Sequence, residues 1–117
     1  MQVNIPLIQT IDNSYSITID TLPKTHFDTK VAIITNPKVT DLHLKYLLSK
    51  INTKKLYIIT IANGEKYKNQ NSINTILDSL FNHRFNRKSM LIAFGGGVIG
   101  DMTGYAASIY QRGIDFI

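Results

Sequence analysis

Short apolar runs alternate with longer segments in which apolar positions recur at helical spacing. Residues 31–34, 56–61 and 90–94 form three continuous apolar runs, as expected for parallel strands that are covered on both faces. Upstream, residues 15–19 alternate in the period of a half-exposed strand. Residues 3–8 are expected to pair with them, which predicts an N-terminal β-hairpin.

Two helices are predicted between the three apolar runs, because apolar residues there recur at i, i+3, i+4 and i+7. Thr40 and Asp41 stand in cap positions ahead of the first helix. Strands that alternate with helices in this way predict an α/β fold with a parallel, doubly wound sheet and right-handed crossovers. The two apolar stripes consist of Leu44, Leu47, Leu48 and Ile51, and of Ile73, Ile76, Leu77, Leu80 and Phe81.

Composition narrows the classes of function. The 117 residues carry a formal net charge of +5 and no cysteine, which excludes disulfides and thiolate catalysis. The basic residues cluster near two predicted helix ends without an aromatic platform, so nucleic acid is not expected as a partner. A phosphorylated small molecule fits the charge, and so do solvated helix ends whose cations complement the helix dipole. No apolar run approaches the roughly 20 residues that span a bilayer, and no signal peptide is evident. A cytoplasmic location without membrane association is therefore expected.

A glycine run follows the third apolar run and precedes a predicted helix. Gly95, Gly97 and Gly100 satisfy the spacing G-x-G-x-x-G. Glycines at a strand end can take positive φ and expose bare N–H groups, and the helix start adds partial positive charge. This arrangement suits a pyrophosphate, although a tight turn without a ligand is the alternative.

The loops that follow the three runs are the expected binding site, because ligands of parallel sheets lie at the carboxyl ends of the strands. Glu65 can accept hydrogen bonds from both hydroxyls of a ribose, and Lys68 can pair with that carboxylate or reach a phosphate. An exposed ion pair is the alternative. Asp101 lies in a first helical turn, which favours a carboxylate with or without a ligand.

The helix after the glycine run carries small residues on one stripe, at Gly100, Thr103, Gly104, Ala107 and Ser108. Such a face allows close packing against a backbone or leaves room for a cofactor. The three histidines, His26, His43 and His83, have no ligand spacing, so no metal site is expected within this chain.

Residues 94–113 resemble the glycine motif of the 3-dehydroquinate synthase family, and residues 63–68 resemble its aspartate-glycine-glutamate loop. The resemblance implies a Rossmann-like, NAD-binding N-terminal domain over residues 1–117, belonging to a two-domain lyase. In that family a divalent metal, zinc or cobalt, is held by a C-terminal helical domain. The family converts 3-deoxy-D-arabino-heptulosonate 7-phosphate to 3-dehydroquinate with release of phosphate, in the shikimate pathway of aromatic amino acid biosynthesis.

The resemblance also implies roles for individual residues. Arg112 would contact the substrate phosphate across a homodimer interface. Asn36 and Asn63 stand where the family often has aspartate, and an asparagine there can still form hydrogen bonds but lacks the charge. The implied cofactor-binding residues are Asn36, Asn63, Gly64, Glu65, Lys66, Tyr67, Lys68, Gly95, Gly96, Gly97, Val98, Ile99, Gly100 and Asp101.

Three alternatives stay open at the level of sequence: another sugar-phosphate cyclase, a metal-dependent polyol dehydrogenase, and a nucleotide-binding module without catalysis. No catalytic residue is expected within the chain. By itself the chain is expected to be inactive, because oxidation needs NAD and the metal at the same substrate carbon. It is also expected to self-associate through a sheet edge and an uncovered small-residue helix face.

Overall fold

The computed structural model describes residues 2–5, 15–18 and 22–117. Two 3₁₀ turns, Glu65–Tyr67 and Tyr110–Arg112, accompany the helices and strands. Within the described residues the elements are β1 Gln2–Ile5, β2 Tyr15–Thr18, β3 Thr25–Phe27, β4 Val31–Thr35, α1 Pro37–Lys50, β5 Ile51–Thr53, β6 Leu56–Thr60, α2 Gln70–Asn82, β7 Met90–Ala93, α3 Gly97–Ile109 and β8 Asp115–Phe116.

The centre of the fold is a parallel four-stranded sheet in the order β6-β4-β7-β8. Every residue of β4 is buried, because this strand has a neighbour on each side and helices over both faces. Val31 aligns with Leu56 of β6 and with Met90 of β7, so the carboxyl ends of the three strands finish level with one another. The prediction of a Rossmann-like α/β fold is confirmed.

Helices pack on both faces of the sheet. The side chains of β4 alternate between the faces, as the period of a strand requires. Ala32 and Ile34 join a larger core with α2 and α3, whereas Val31 and Ile33 join a smaller core with Leu47 of α1. The sheet is therefore doubly wound. No helix of the described residues is long and apolar enough to cross a membrane.

The N-terminal hairpin is confirmed where it is described. β1 pairs with β2 in antiparallel register, with Val3 opposite Ile17. Residues 6–8 and 19, which the sequence also assigns to these strands, lie outside the described residues. A second small sheet, the parallel pair of β3 and β5, was not predicted.

The predicted start and apolar stripe of α1 are wrong in part. Asn36, not Thr40 or Asp41, caps the helix, since its Oδ1 accepts a hydrogen bond of 2.9 Å from the Val39 amide. Leu47 is the only buried residue of α1, and Leu48 is exposed. Among the described residues, Leu47 is the α1 side chain that joins the smaller core, so a narrow line of contact connects this helix to the sheet. The last stripe position, Ile51, belongs to β5.

The predicted stripe of α2 is confirmed for Ile73, Ile76 and Leu80, which are all buried. It is wrong for Phe81, which is 73 % exposed. The core position for an aromatic ring is taken instead by Phe85, just past the end of the helix, where its amide donates to the Leu80 carbonyl at 2.9 Å.

Candidate functional site

Three loops meet at the carboxyl edge of the sheet, where the sequence places a binding site. They follow β6, β4 and β7, which are adjacent and parallel. The loop after β6 and the helix after β7 are linked directly, because Lys68 Nζ donates to Asp101 Oδ2 at 2.8 Å. The carboxyl edge thus brings together residues 36, 63–68 and 95–101.

The N-terminus of α3 is built differently from those of α1 and α2. Asn36 caps α1, and Asn69 caps α2 by accepting a hydrogen bond of 3.0 Å from the Ser72 amide. The N-cap of α3 is Gly96, which provides no side-chain hydrogen bond, and the prediction that Asp101 lies in the first helical turn is wrong, because Asp101 is the fifth residue of α3. The first N–H groups of a helix have no partner within the helix. Of the three described α-helices, α3 is therefore the one whose N-terminus is left open to an external acceptor.

The glycines of this turn provide open space and do not adopt unusual backbone angles. None of Gly95, Gly96 and Gly97 has positive φ, so that part of the prediction is wrong. A Cβ at Gly96 or Gly97 would meet no atom within 4 Å. A Cβ at Gly95 would lie 2.9 Å from Ile99 Cγ1, because the turn folds tightly back on its own helix. Packing explains Gly95, whereas no atom of the described residues requires glycine at 96 or 97.

Thr35 anchors the start of the glycine turn through a side-chain hydrogen bond. Its side chain is fully buried, and its Oγ1 donates to the Phe94 carbonyl at 2.7 Å. The Phe94 amide in turn donates to the Ile34 carbonyl at 2.9 Å. Thr35 directly follows the apolar run 31–34 and so belongs to a loop where the sequence places the binding site, but its role as an anchor was not predicted. Thr35 fixes the direction in which the chain leaves β7.

The charged groups of the site are Lys68, Glu65 and Asp101, which lie close together. Lys68 Nζ lies 3.9 Å from Glu65 Oε1, farther than from Asp101. The hydrogen bond to the Asp101 carboxylate raises the pKa of Lys68 above its ordinary value. The Lys68 side chain is 39 % exposed, so the pair contributes little to stability. The Glu65 carboxylate is largely exposed and available to a ligand.

Gly64 shapes the loop that carries Glu65. Its φ of 110° lies in a region that other residues rarely adopt, and its carbonyl accepts from the Tyr67 amide at 3.0 Å. Lys66 Nζ lies 5.1 Å from the centre of the Tyr67 ring, and both side chains are exposed. The positive φ of residue 64 makes glycine necessary there.

The remaining predicted residues differ in what they can offer a ligand. Ile99 is buried in the core and Val98 is half-buried against it, so Ile99 presents its backbone alone. The Asn36 Oδ1 is engaged as the cap of α1, a task that asparagine and aspartate perform equally well. Asn63 is exposed and makes no hydrogen bond in the described part of the chain.

Arg112 lies at the opposite edge of the sheet. It follows α3, whose 13 residues span about 20 Å at 1.5 Å per residue. Gln111 and Arg112 have φ values of 46° and 66°, in the left-handed region. The turn is held by Tyr110, whose hydroxyl donates to the Phe85 carbonyl at 2.7 Å, and burial raises the pKa of that phenol. One copy of the chain does not bring Arg112 to the carboxyl edge.

The small-residue face of α3 is used for packing. Thr103 and Ala107 are buried, and a Cβ at Gly104 would lie 3.1 Å from the ring of Phe116 in β8. The expectation that this face is uncovered is therefore wrong at Gly104, because β8 extends the sheet beneath it. Within residues 2–5, 15–18 and 22–117, no group of three or more histidine and acidic side chains could hold a metal ion.

Comparison with curated proteins gives relatives named 3-dehydroquinate synthase. The chain is 70 % identical over its whole length to the 3-dehydroquinate synthase of Sulfurimonas denitrificans, covering 34 % of that protein. It is 55 % identical over its whole length to the 3-dehydroquinate synthase of Campylobacter jejuni, covering 32 % of it. The chain thus spans about a third of the length of these relatives.

Solved structures with this fold include a 2-deoxy-scyllo-inosose synthase, with a TM-score of 0.66 and 27 % identity over 77 % of this chain and 26 % of that one. Another is the 2-epi-5-epi-valiolone synthase of Streptomyces hygroscopicus with NAD⁺ and Zn²⁺ bound, with a TM-score of 0.64 and 23 % identity over the same shares of the two chains. The family model for the 3-dehydroquinate synthase N-terminal region matches residues 58–117, just over half of the chain. This chain belongs to the 3-dehydroquinate synthase family.

Proposed function

We propose that this chain is the NAD-binding domain, residues 1–117, of a cytoplasmic 3-dehydroquinate synthase. The proposed reaction converts 3-deoxy-D-arabino-heptulosonate 7-phosphate to 3-dehydroquinate and phosphate. The observation that carries the proposal is the uncapped N-terminus of α3, which lies beside open space at Gly96 and Gly97. Bare N–H groups and the positive end of a helix dipole suit the pyrophosphate of NAD.

The surrounding residues fit the rest of the cofactor. The exposed Glu65 carboxylate can accept both hydroxyls of the adenosine ribose. Lys68, tied to Asp101, offers positive charge between the Glu65 loop and the glycine turn. NAD, when bound, supplies the hydride acceptor for the transient oxidation of the substrate. The divalent metal, zinc or cobalt, belongs in this proposal to residues outside this chain.

The proposal includes a homodimer. Arg112 is about 20 Å along α3 from the glycine turn, so it can meet a substrate phosphate at a carboxyl edge only if that edge belongs to a second copy. The anchored turn at Tyr110 holds Arg112 outward and exposed. Other sugar-phosphate cyclases share the fold, but the 70 % identity to a 3-dehydroquinate synthase favours that activity over theirs.

A chimera provides the test. In it, this chain replaces the residues that it matches in the Sulfurimonas denitrificans enzyme, which leaves the remaining two thirds of that enzyme in place. NAD is titrated calorimetrically into the chimera and into its Gly97→Val variant. The valine fills the open space at the helix N-terminus, so the affinity for NAD is expected to fall at least about tenfold, or about 1.4 kcal/mol.

Ser108→Val is the matched control, because it adds the same side chain to an exposed position near the other end of α3. Its affinity for NAD should equal that of the unmodified chimera. An unchanged affinity in a folded Gly97→Val variant would refute the assignment of the pyrophosphate to this turn.

A further inference from the structure

Asn63 differs from the other two asparagines of the carboxyl edge in being unrestrained. The Asn36 Oδ1 is engaged by the Val39 amide, and Asn69 makes two hydrogen bonds, to the Ser72 amide and the Lys66 carbonyl, each of 3.0 Å. Asn63 is exposed and has no hydrogen bond among the described residues. Its side chain is free to rotate toward the backbone that follows it.

The residue after Asn63 also favours reaction. Gly64 has no side chain to obstruct its amide nitrogen, and a Cβ at this position would meet no atom within 4 Å. The Gly64 N–H donates no hydrogen bond in the described part of the chain. Its φ of 110° belongs to a conformation that glycine leaves easily because it has so few steric restrictions. An accessible nucleophilic nitrogen therefore stands next to a free carboxamide.

We propose that Asn63 is a site of spontaneous deamidation, a covalent modification at the edge that carries the cofactor loops. The deprotonated Gly64 amide nitrogen attacks the Asn63 Cγ, a C–N bond closes a five-membered succinimide, and ammonia leaves. Water then opens the ring at one of its two carbonyls and leaves aspartate or isoaspartate at position 63. No group is oxidised or reduced, and each event lowers the formal net charge of +5 by one.

The modification would change the proposed binding site. Isoaspartate adds a methylene to the backbone just before Gly64 and so displaces Glu65, which lies in the short turn Glu65–Tyr67. This consequence for NAD rests on the proposed function, whereas the modification itself does not.

The test is peptide mapping by mass spectrometry of the complete 117-residue chain, aged at mildly alkaline and at mildly acidic pH. The peptide with Asn63 is expected to gain the mass that separates OH from NH₂ and to split into aspartate and isoaspartate forms. The reaction should be faster at alkaline pH, because the Gly64 amide must lose its proton.

Asn69 is the internal control in the same loop. Its two hydrogen bonds must break before it can react, and Gln70, which follows it, has a side chain that obstructs attack. Its rate should therefore be at least about tenfold lower. The Asn63→Gln variant should show no conversion at position 63. An unmodified Asn63 after ageing, or equal rates at Asn63 and Asn69 in a chain that circular dichroism shows to be folded, would overturn the proposal.

The effect on the cofactor is measured in the chimera. After ageing, the chimera is expected to lose affinity for NAD relative to its fresh form, while the aged Asn63→Gln chimera is expected to bind NAD as tightly as its own fresh form does. Retained affinity in a chimera with converted Asn63 would overturn the link to the cofactor. If the fresh chimera itself binds no NAD, the proposed function fails, and the mapping experiment still decides the modification.

Discussion

Removal of one hydroxyl, by Tyr110→Phe, tests how the strained turn before Arg112 is held. The Tyr110 side chain is 7 % exposed, and its hydroxyl donates to the Phe85 carbonyl at 2.7 Å. Among the described residues, Gln111 Nε2 also donates to that carbonyl, at 3.4 Å, a distance at which a hydrogen bond is weak. The variant thus leaves a carbonyl oxygen nearly without a partner.

The expected loss of stability follows from that geometry. A typical hydrogen bond contributes about 0.5–1.5 kcal/mol, and an unsatisfied buried acceptor costs about 1–3 kcal/mol. Because Gln111 compensates in part, we expect a decrease of about 1.5 kcal/mol in the free energy of unfolding. For a chain of this size that corresponds to a decrease of about 5–9 °C in Tm.

The loss should depend on pH. Burial raises the pKa of Tyr110 above its ordinary value of 10.0, so the folded state binds the phenol proton more tightly than the unfolded state does. The contribution of this group to stability is therefore complete below pH 10.0 and decreases as the pH rises through the folded pKa. The phenylalanine variant has no such group, so the difference between the two proteins should narrow above pH 10.0.

Urea denaturation of both proteins across this pH range provides the measurement, with Tyr105→Phe as the matched control. Tyr105 lies in α3 and is 51 % exposed, so its substitution should change the free energy of unfolding by less than about 0.5 kcal/mol. Equal losses in the two variants, or a Tyr110→Phe loss that stays constant above pH 10.0, would contradict the role of the Tyr110 hydrogen bond.

Two further substitutions address the carboxyl edge. Thr35→Val removes the buried hydroxyl that donates to the Phe94 carbonyl and should lower the free energy of unfolding, measured by urea denaturation, by about 1–2 kcal/mol. Thr35→Ser keeps a hydroxyl and should lower it less. Equal losses in the two variants would argue against the hydrogen bond. Glu65→Ala in the chimera should weaken NAD binding by about 1–3 kcal/mol through lost charged hydrogen bonds. Asp78→Ala, on the exposed side of α2, should leave NAD binding unchanged. An unaltered dissociation constant for NAD in the Glu65→Ala chimera would make Glu65 an exposed ion-pair residue.

The sequence predicts the positions of the central strands well. Burial on both faces explains the apolar residues of β4, whereas β6 is an edge strand in which only Ile59 is buried and Ile58 is 42 % exposed. β4, β6 and β7 fall within the three apolar runs apart from Thr35, a polar residue that closes β4 and is buried through its hydrogen bond to Phe94. The hydrophobic pattern is less informative about α1, which buries only Leu47. Its start could have been predicted, since Asn36 followed by Pro37 is a common cap and first position.

The sequence predicted which loops form the site but not the contacts between their side chains. Parallel strands bring Asn36, Glu65 and the glycine turn to one edge, and that much follows from topology. The pairing of Lys68 with Asp101 depends on how far apart α2 and α3 begin, which no local pattern specifies. The length of α3 could have shown that Arg112 lies far from the glycine turn. The left-handed backbone of Arg112 could not be predicted, because it depends on the hydrogen bond of Tyr110 to the Phe85 carbonyl.

The central claim, that this chain is the NAD-binding part of a 3-dehydroquinate synthase, is tested most directly by the activity of the chimera. Phosphate released from 3-deoxy-D-arabino-heptulosonate 7-phosphate is measured with added NAD and zinc, beside the unmodified Sulfurimonas denitrificans enzyme. At an NAD concentration near the Kd of the chimera, we expect metal-dependent turnover by the chimera that is strongly reduced in its Gly97→Val variant and kept in Ser108→Val. A folded chimera that releases no phosphate while the unmodified enzyme does, or one that keeps full activity with valine at position 97, would contradict the central claim.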